Sequence, residues 1–145
     1  MRRVLGLDVG DRRIGIALSD ELGITAQGLM VLERQNLQVD LHALQQLIAR
    51  HAIDTIVVGM PRNMNGSYGL QAEKTARFLQ RLQQACKIPC MPWDERLTTQ
   101  QAERLLLEGQ QRRHKRQAVR DKIAAQLVLQ NYLDYQRLAP ARPPT

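Results

Sequence analysis

Aromatic side chains are scarce in this chain: one Trp, one Phe and three Tyr among 145 residues, 3% in all. Stacking of bases on an aromatic platform is therefore not expected to be its main way of holding a ligand. Cysteine is scarcer still, with Cys86 and Cys90 alone. Pro89 between them argues against both lying on one helix, and two thiols without a His or Cys cluster fall short of the four ligands of a structural zinc site. They read as free, inert thiols. The three histidines, His42, His51 and His114, have no partners in sequence that suit acid–base catalysis. No apolar run approaches the roughly 18 residues needed to span a bilayer, and the N-terminus has no signal-peptide core, which predicts a cytoplasmic protein without a membrane partner.

What the chain has in excess is positive charge. Twenty-one Lys and Arg against 14 Asp and Glu give a net charge of +7 and a pI near 10.1. Such a balance points to a polyanionic partner, and basic contacts to phosphates supply most sequence-independent affinity for nucleic acid. With few aromatics, recognition through the backbone or through shape is expected. The length suits one domain with a single core, and 43% hydrophobic residues are ordinary for a globular protein.

Three β-like runs come first, at about 3–8, 14–19 and 24–32, separated by Gly and Asp turn signals that predict an antiparallel meander. Leu41, Leu44, Leu47 and Ile48 recur at helical spacing over 37–51. The β-branched run 53–59 reads as a buried parallel strand. A loop over 60–67 carries Arg62 and Asn63, and a helix over about 68–85 should turn Ala72, Thr75, Ala76, Leu79 and Leu82 inward. The run 88–93, with two prolines, is an edge-strand candidate. Thr98 or Thr99 is a reasonable N-cap for a helix to Glu108, stopped by Gly109. A basic loop over 112–116 and a last helix over about 117–135 follow, and 137–145 reads as a disordered tail. The expected architecture is α/β, one domain over 1–136. Its five-stranded mixed sheet has strands 1–3 antiparallel, strands 4 and 5 parallel to strand 1, and helices on both faces.

Asp8 ends the first apolar run, Val4-Leu5-Gly6-Leu7-Asp8-Val9-Gly10. A buried carboxylate needs a cation, a metal or a hydrogen-bond network beside it. A tight hairpin with a solvated Asp would show the same residues. In mixed sheets of this kind a site belongs at the carboxyl edge of the parallel strands, and Asp8, the loop 61–67 and Asp94-Glu95 all leave strands at that edge. Asp121 falls in register with Ala118, Ala124, Ala125, Val128, Leu129 and Tyr132, the stripe that should dock on the sheet. Its bland alternative is a solvated Asp in the first helical turn. Together Asp8, Glu95 and Asp121 would make an all-oxygen cluster suited to Mg²⁺ or Mn²⁺ rather than zinc. Two such ions about 3.5–4 Å apart activate water and stabilise the leaving oxygen in phosphodiester cleavage. Asp94 competes with Glu95 for the third place. Arg62, Asn63, Arg96 and the cluster Arg112, Arg113, Lys115 and Arg116 are candidates to contact substrate phosphates.

Four ordered motifs are similar to the YqgF/RuvX family, which has the ribonuclease H-like fold of the RuvC resolvases. They are Gly6-Leu7-Asp8-Val9-Gly10 with Arg13-Ile14-Gly15-Ile16-Ala17, Val57-Val58-Gly59-Met60-Pro61 with Asn63-Met64-Asn65-Gly66, Asp94-Glu95-Arg96-Leu97-Thr98-Thr99, and Asp121 with Ala124-Ala125. The match covers about 3–135. The resemblance implies a bacterial cytoplasmic nuclease acting at the 5′ end of pre-16S rRNA in ribosome maturation, or alternatively a Holliday junction resolvase. It implies Asp8, Glu95 and Asp121 as the catalytic, metal-holding acids, with Arg13 among the substrate contacts. Strand four ends in Gly-Met-Pro, where RuvC resolvases carry a second acid, so Glu95 must substitute from strand five. A different class, a nucleic-acid-binding factor in transcription or ribosome assembly, would need the basic loop and not Asp8. An actin-like ATPase or sugar kinase would need a second domain for which the chain has no room. Monomer and homodimer both stay open.

Overall fold

A computed structural model describes residues 3–61, 69–94 and 113–138, with side chains over 121–137 in the last segment. Short turns fold the N-terminal third into a meander of β1 (Arg3–Val9), β2 (Arg13–Ser19) and β3 (Ala26–Glu33). The Gly10 N–H closes the first turn by donating to the Arg13 carbonyl at 2.8 Å. Asp20 builds the second, its Oδ1 accepting from the N–H groups of Ile24 at 2.7 Å and Thr25 at 3.2 Å. Those bonds, Ile24's foremost, hold the Asp20 carboxyl below its ordinary range. They also explain why β3 begins at Ala26 and not at 24: the preceding amides serve the turn.

Helix α1 (Leu37–His51) starts at Asn36, whose side chain accepts from the Val39 N–H, and stops at Ala52 in the left-handed region. β4 (Ile53–Met60), α2 (Leu70–Cys86), β5 (Cys90–Asp94) and α3 (Arg113–Leu138) complete the described elements. The sheet order is β3-β2-β1-β4-β5, with β1 antiparallel to β2, β2 antiparallel to β3, and β1, β4 and β5 mutually parallel. This is the expected mixed sheet, with the proline-bearing strand at its edge.

The two faces carry different cores. Leu5, Leu7, Val9, Ile14, Ile16, Ile56 and Val58 pack with Leu44 and Leu47 of α1 and Phe78 and Leu82 of α2. The opposite face of β1 and β2 is small, with Gly6, Gly15 and Ala17, and α3 lies directly on it through Ala125, Leu129 and Leu133. A Cβ on Gly6 would stand 2.7 Å from that of Leu129. Gln130 of α3 also completes the start of β3, accepting from the Ala26 N–H at 2.9 Å and donating to the Ile24 carbonyl at 2.8 Å.

Three expectations need correction. The last helix begins at Arg113 rather than 117, so Arg113, Lys115 and Arg116 are helical and not in a loop. Arg, Lys and Gln are good helix formers, and no Gly or Pro interrupts 110–139. The same helix runs to Leu138, into the expected tail. On α2, Phe78 is buried and Ala76 is exposed, because the sheet and α1 take the larger ring from the two available stripes. The expected helix up to Glu108, residues 62–67 of the expected loop and the remainder of the tail lie outside the described residues.

Candidate functional site

Side chains alternate along β1, so Leu5, Leu7 and Val9 enter the core under α1 and α2 while Val4, Gly6 and Asp8 turn to α3. Asp8 is half-buried at the carboxyl end of the strand. Its partner in the ladder is Gly15 of β2. A Cβ on Gly15 would overlap the backbone carbonyl of Asp121, so the helix occupies the space a side chain would have taken. Partners across an antiparallel ladder stand about 4.5–5.5 Å apart at Cα. Register and close approach together bring Asp8 and Asp121 to one corner of the sheet, on one face.

Asp121 sits on the buried stripe of α3, with Ala124, Ala125, Val128 and Leu129 buried in succession and Tyr132 half-buried. Its own side chain is only 16% exposed, and its Oδ2 accepts from Arg13 Nε at 3.0 Å. Arg13 opens β2 on the same face as Gly15. Expected among the substrate contacts, it is here the ion-pair partner of Asp121. A carboxylate so placed needs a nearby cation, and the guanidinium supplies one.

β5 settles where Asp94 stands. Trp93 pairs with Gly59 and meets Tyr132 and Tyr135 of α3 edge-on, each ring centroid 5.5 Å away. Trp93 is therefore on the α3 face, and alternation turns the next residue, exposed Asp94 opposite Met60, to the other side. Asp94 does not share the face of Asp8 and Asp121. Three of the chain's five aromatic residues thus gather at one end of α3, a cluster that composition alone could not locate. Glu95, Arg62, Asn63, Arg96 and Arg112 lie outside the described residues, as do the side chains of Arg113, Lys115 and Arg116.

Among the described residues no group of three or more His, Cys, Asp or Glu stands together to hold a metal. The described part of the site is a pair of carboxylates with a guanidinium. Its donor set is hard oxygen with no thiol or imidazole, which fits Mg²⁺ or Mn²⁺ and does not fit zinc. The thiols stand apart as expected. Burial pushes Cys86 up, and burial with the neighbouring Cys86 pushes Cys90 up to about 12, far from the low values of reactive cysteines. No described helix is long and apolar enough to cross a membrane.

The sheet order, the two-faced helical cover and the acid pair at the carboxyl edge define the ribonuclease H-like fold of RuvC. Thermus thermophilus RuvC, solved in complex with a Holliday junction substrate, superposes with a TM-score of 0.57 at 14% identity, covering 96% of this chain and 97% of that one. The family model described as "RuvX: Holliday junction resolvase" matches residues 2–135. The chain belongs to the RuvX family. A protein of Halothermothrix orenii named "Putative pre-16S rRNA nuclease" is 51% identical over 134 residues, 92% of this chain and 96% of its own. One of Moorella thermoacetica with the same name is 52% identical over 132 residues, 91% and 94% of the two chains. The chain is accordingly a hydrolase of the nuclease class.

Proposed function

We propose that this protein is a divalent-metal-dependent endonuclease that cuts structured RNA in the cytoplasm, processing the 5′ end of pre-16S rRNA. The observation that carries the reading is the meeting of Asp8 and Asp121 through Gly15, a corner where the fold gives up a side chain to bring two acids together. Asp8 and Asp121 hold Mg²⁺ or Mn²⁺, and Glu95, next along the chain from β5, is the third acid. The preference for Glu95 is supported by the turning of Asp94 to the opposite face. When bound, the ions activate a water and offset charge on the phosphate oxygens. Arg13 holds Asp121 in place beforehand and presents positive charge where a phosphate must approach. Arg62, Asn63, Arg96, Arg112, Arg113, Lys115 and Arg116 supply the contacts to the RNA backbone. RNA is preferred over branched DNA because the relatives at about half identity are named for rRNA, whereas the resolvase likeness is one of fold.

The family description favours a second reading, a junction resolvase, which requires a symmetric dimer with paired sites. Labelled pre-16S rRNA and a four-way DNA junction, each with Mg²⁺ or Mn²⁺, separate the two. RNA cutting by the wild type that falls by about 100-fold or more in folded Asp8→Asn, Glu95→Gln and Asp121→Asn is expected, the scale of losing preorganised charge stabilisation. Junction cutting alone would establish the resolvase. Binding of both substrates without cutting under either metal would leave a non-catalytic assembly factor.

A further inference from the structure

The turn between β1 and β2 follows Asp8 and precedes Arg13, and one ion pair, a buried carboxylate with a partly exposed guanidinium, grips it. Arg34, directly after β3, donates from Nη1 to the Gly10 carbonyl at 2.9 Å and from its backbone N–H to the Arg12 carbonyl at 2.8 Å. Its Nε donates to Asp40 Oδ2 at 3.2 Å. Asp40, in the first turn of α1, is 1% exposed, and its Oδ1 accepts from the Gln35 N–H at 3.1 Å. The guanidinium also lies over the Phe78 ring of α2, 5.2 Å from its centroid. Two longer contacts of 3.4 Å reach the same turn from α2: Gln71 Nε2 to the Val9 carbonyl, and Lys74 Nζ to Asp11.

A buried ion pair is a poor source of stability, since apolar replacements of similar volume are often as stable or more so. What it does supply is direction. The planar fork of Arg34 satisfies Asp40 and the Gly10 carbonyl at once, tying the turn to α1; a lysine is a point charge that can serve one or the other. The Gly10 N–H in turn donates to the Arg13 carbonyl, so the tie passes through the turn to the residue that holds Asp121.

We propose that Arg34 and Asp40 form a positioning clamp on the β1–β2 turn, setting Asp8 on one side of it and Arg13 on the other for cation and phosphate binding. The proposal rests on the metal-dependent reading above. Neither residue touches substrate; both act through the turn.

The test compares Arg34→Lys and Asp40→Asn with the wild type and with Asp8→Asn, each checked for folding by circular dichroism and thermal melting. Mn²⁺ binding is measured calorimetrically, exchange of the Gly10 amide by NMR, and RNA binding in EDTA. In the folded clamp variants Mn²⁺ affinity should fall about 10-fold or more, as when groups that orient metal ligands are lost. The Gly10 amide should exchange faster while amides of β4 do not, and RNA affinity in EDTA should fall as well, because Arg13 is displaced with the turn. Folded variants with wild-type Mn²⁺ affinity and Gly10 protection overturn the clamp while leaving the metal site intact. Unfolding of both makes the pair a stability element and overturns the positioning role. Equal Mn²⁺ binding by wild type and Asp8→Asn overturns the metal-dependent reading itself, and the clamp's role at a metal site with it.

Discussion

The two faces of the sheet are packed by opposite means. Under α1 and α2 the strands present buried Leu, Ile and Val side chains that are 0–7% exposed, and the helices ride on a thick aliphatic layer. Under α3 the middle of β1 and β2 presents glycine and alanine, and the helix backbone comes down almost to the sheet. A thick layer removes much apolar surface from water and carries the stability. A thin layer buries less and fixes position more tightly, because a helix with no side chain beneath it has little room to slide. The acids are found on the thin side.

Cutting into the thick side should cost the most stability. Leu5→Ala empties a fully buried site and should lose about 2–5 kcal/mol in denaturant titration. That is a large share of the roughly 5–15 kcal/mol available to a domain. The fraction that remains folded should bind Mn²⁺ as the wild type does. Gly15→Ala does the reverse. Its Cβ forces the Asp121 end of α3 away, with a stability loss of about 1–3 kcal/mol by overpacking, and Mn²⁺ affinity should fall further than in Leu5→Ala. Equal Mn²⁺ affinity in the two folded variants would dissolve the distinction between the faces.

Arg13→Gln removes the guanidinium from Asp121 without touching either layer. The pair is partly exposed, so its loss should cost about 1 kcal/mol or less, read in the same titration, while RNA binding weakens. The smallest effect belongs to Cys90, on neither acid's side. Its folded value is raised above the ordinary 9.0 to about 12, so the fold favours the protonated thiol. That contribution is complete below pH 9 and is lost as the pH climbs towards 12. Cys90→Ala should show a shallower alkaline loss of stability than the wild type, and iodoacetamide should label Cys90 slowly at neutral pH.

Much of this arrangement was legible in the sequence because it repeats with a period. The β-branched run 53–59, the helical spacing of Leu41, Leu44 and Leu47, and the stripe holding Asp121 each declare a buried face. Asp8 was legible as the break in such a run. Asp40 was not: an acid in a first helical turn reads as a solvated complement to the helix dipole, and its pairing with Arg34, just after β3, is visible only in the fold. The role of Gly15 was not legible either, since nothing local announces that a helix more than 100 residues later will lie against it. Phe78 was missed because two stripes on α2 are nearly equivalent until the guanidinium of Arg34 and the core select the one with the ring.

The bond between Arg13 and Asp121 joins positions 108 residues apart. The meander can form as soon as the first third of the chain has been synthesised, its contacts being local. The acid corner must wait for α3, which is made long after the meander. A nascent chain therefore carries its fold's first strands before the acid corner exists, and a copy truncated before residue 121 keeps the meander without the partner that Arg13 holds.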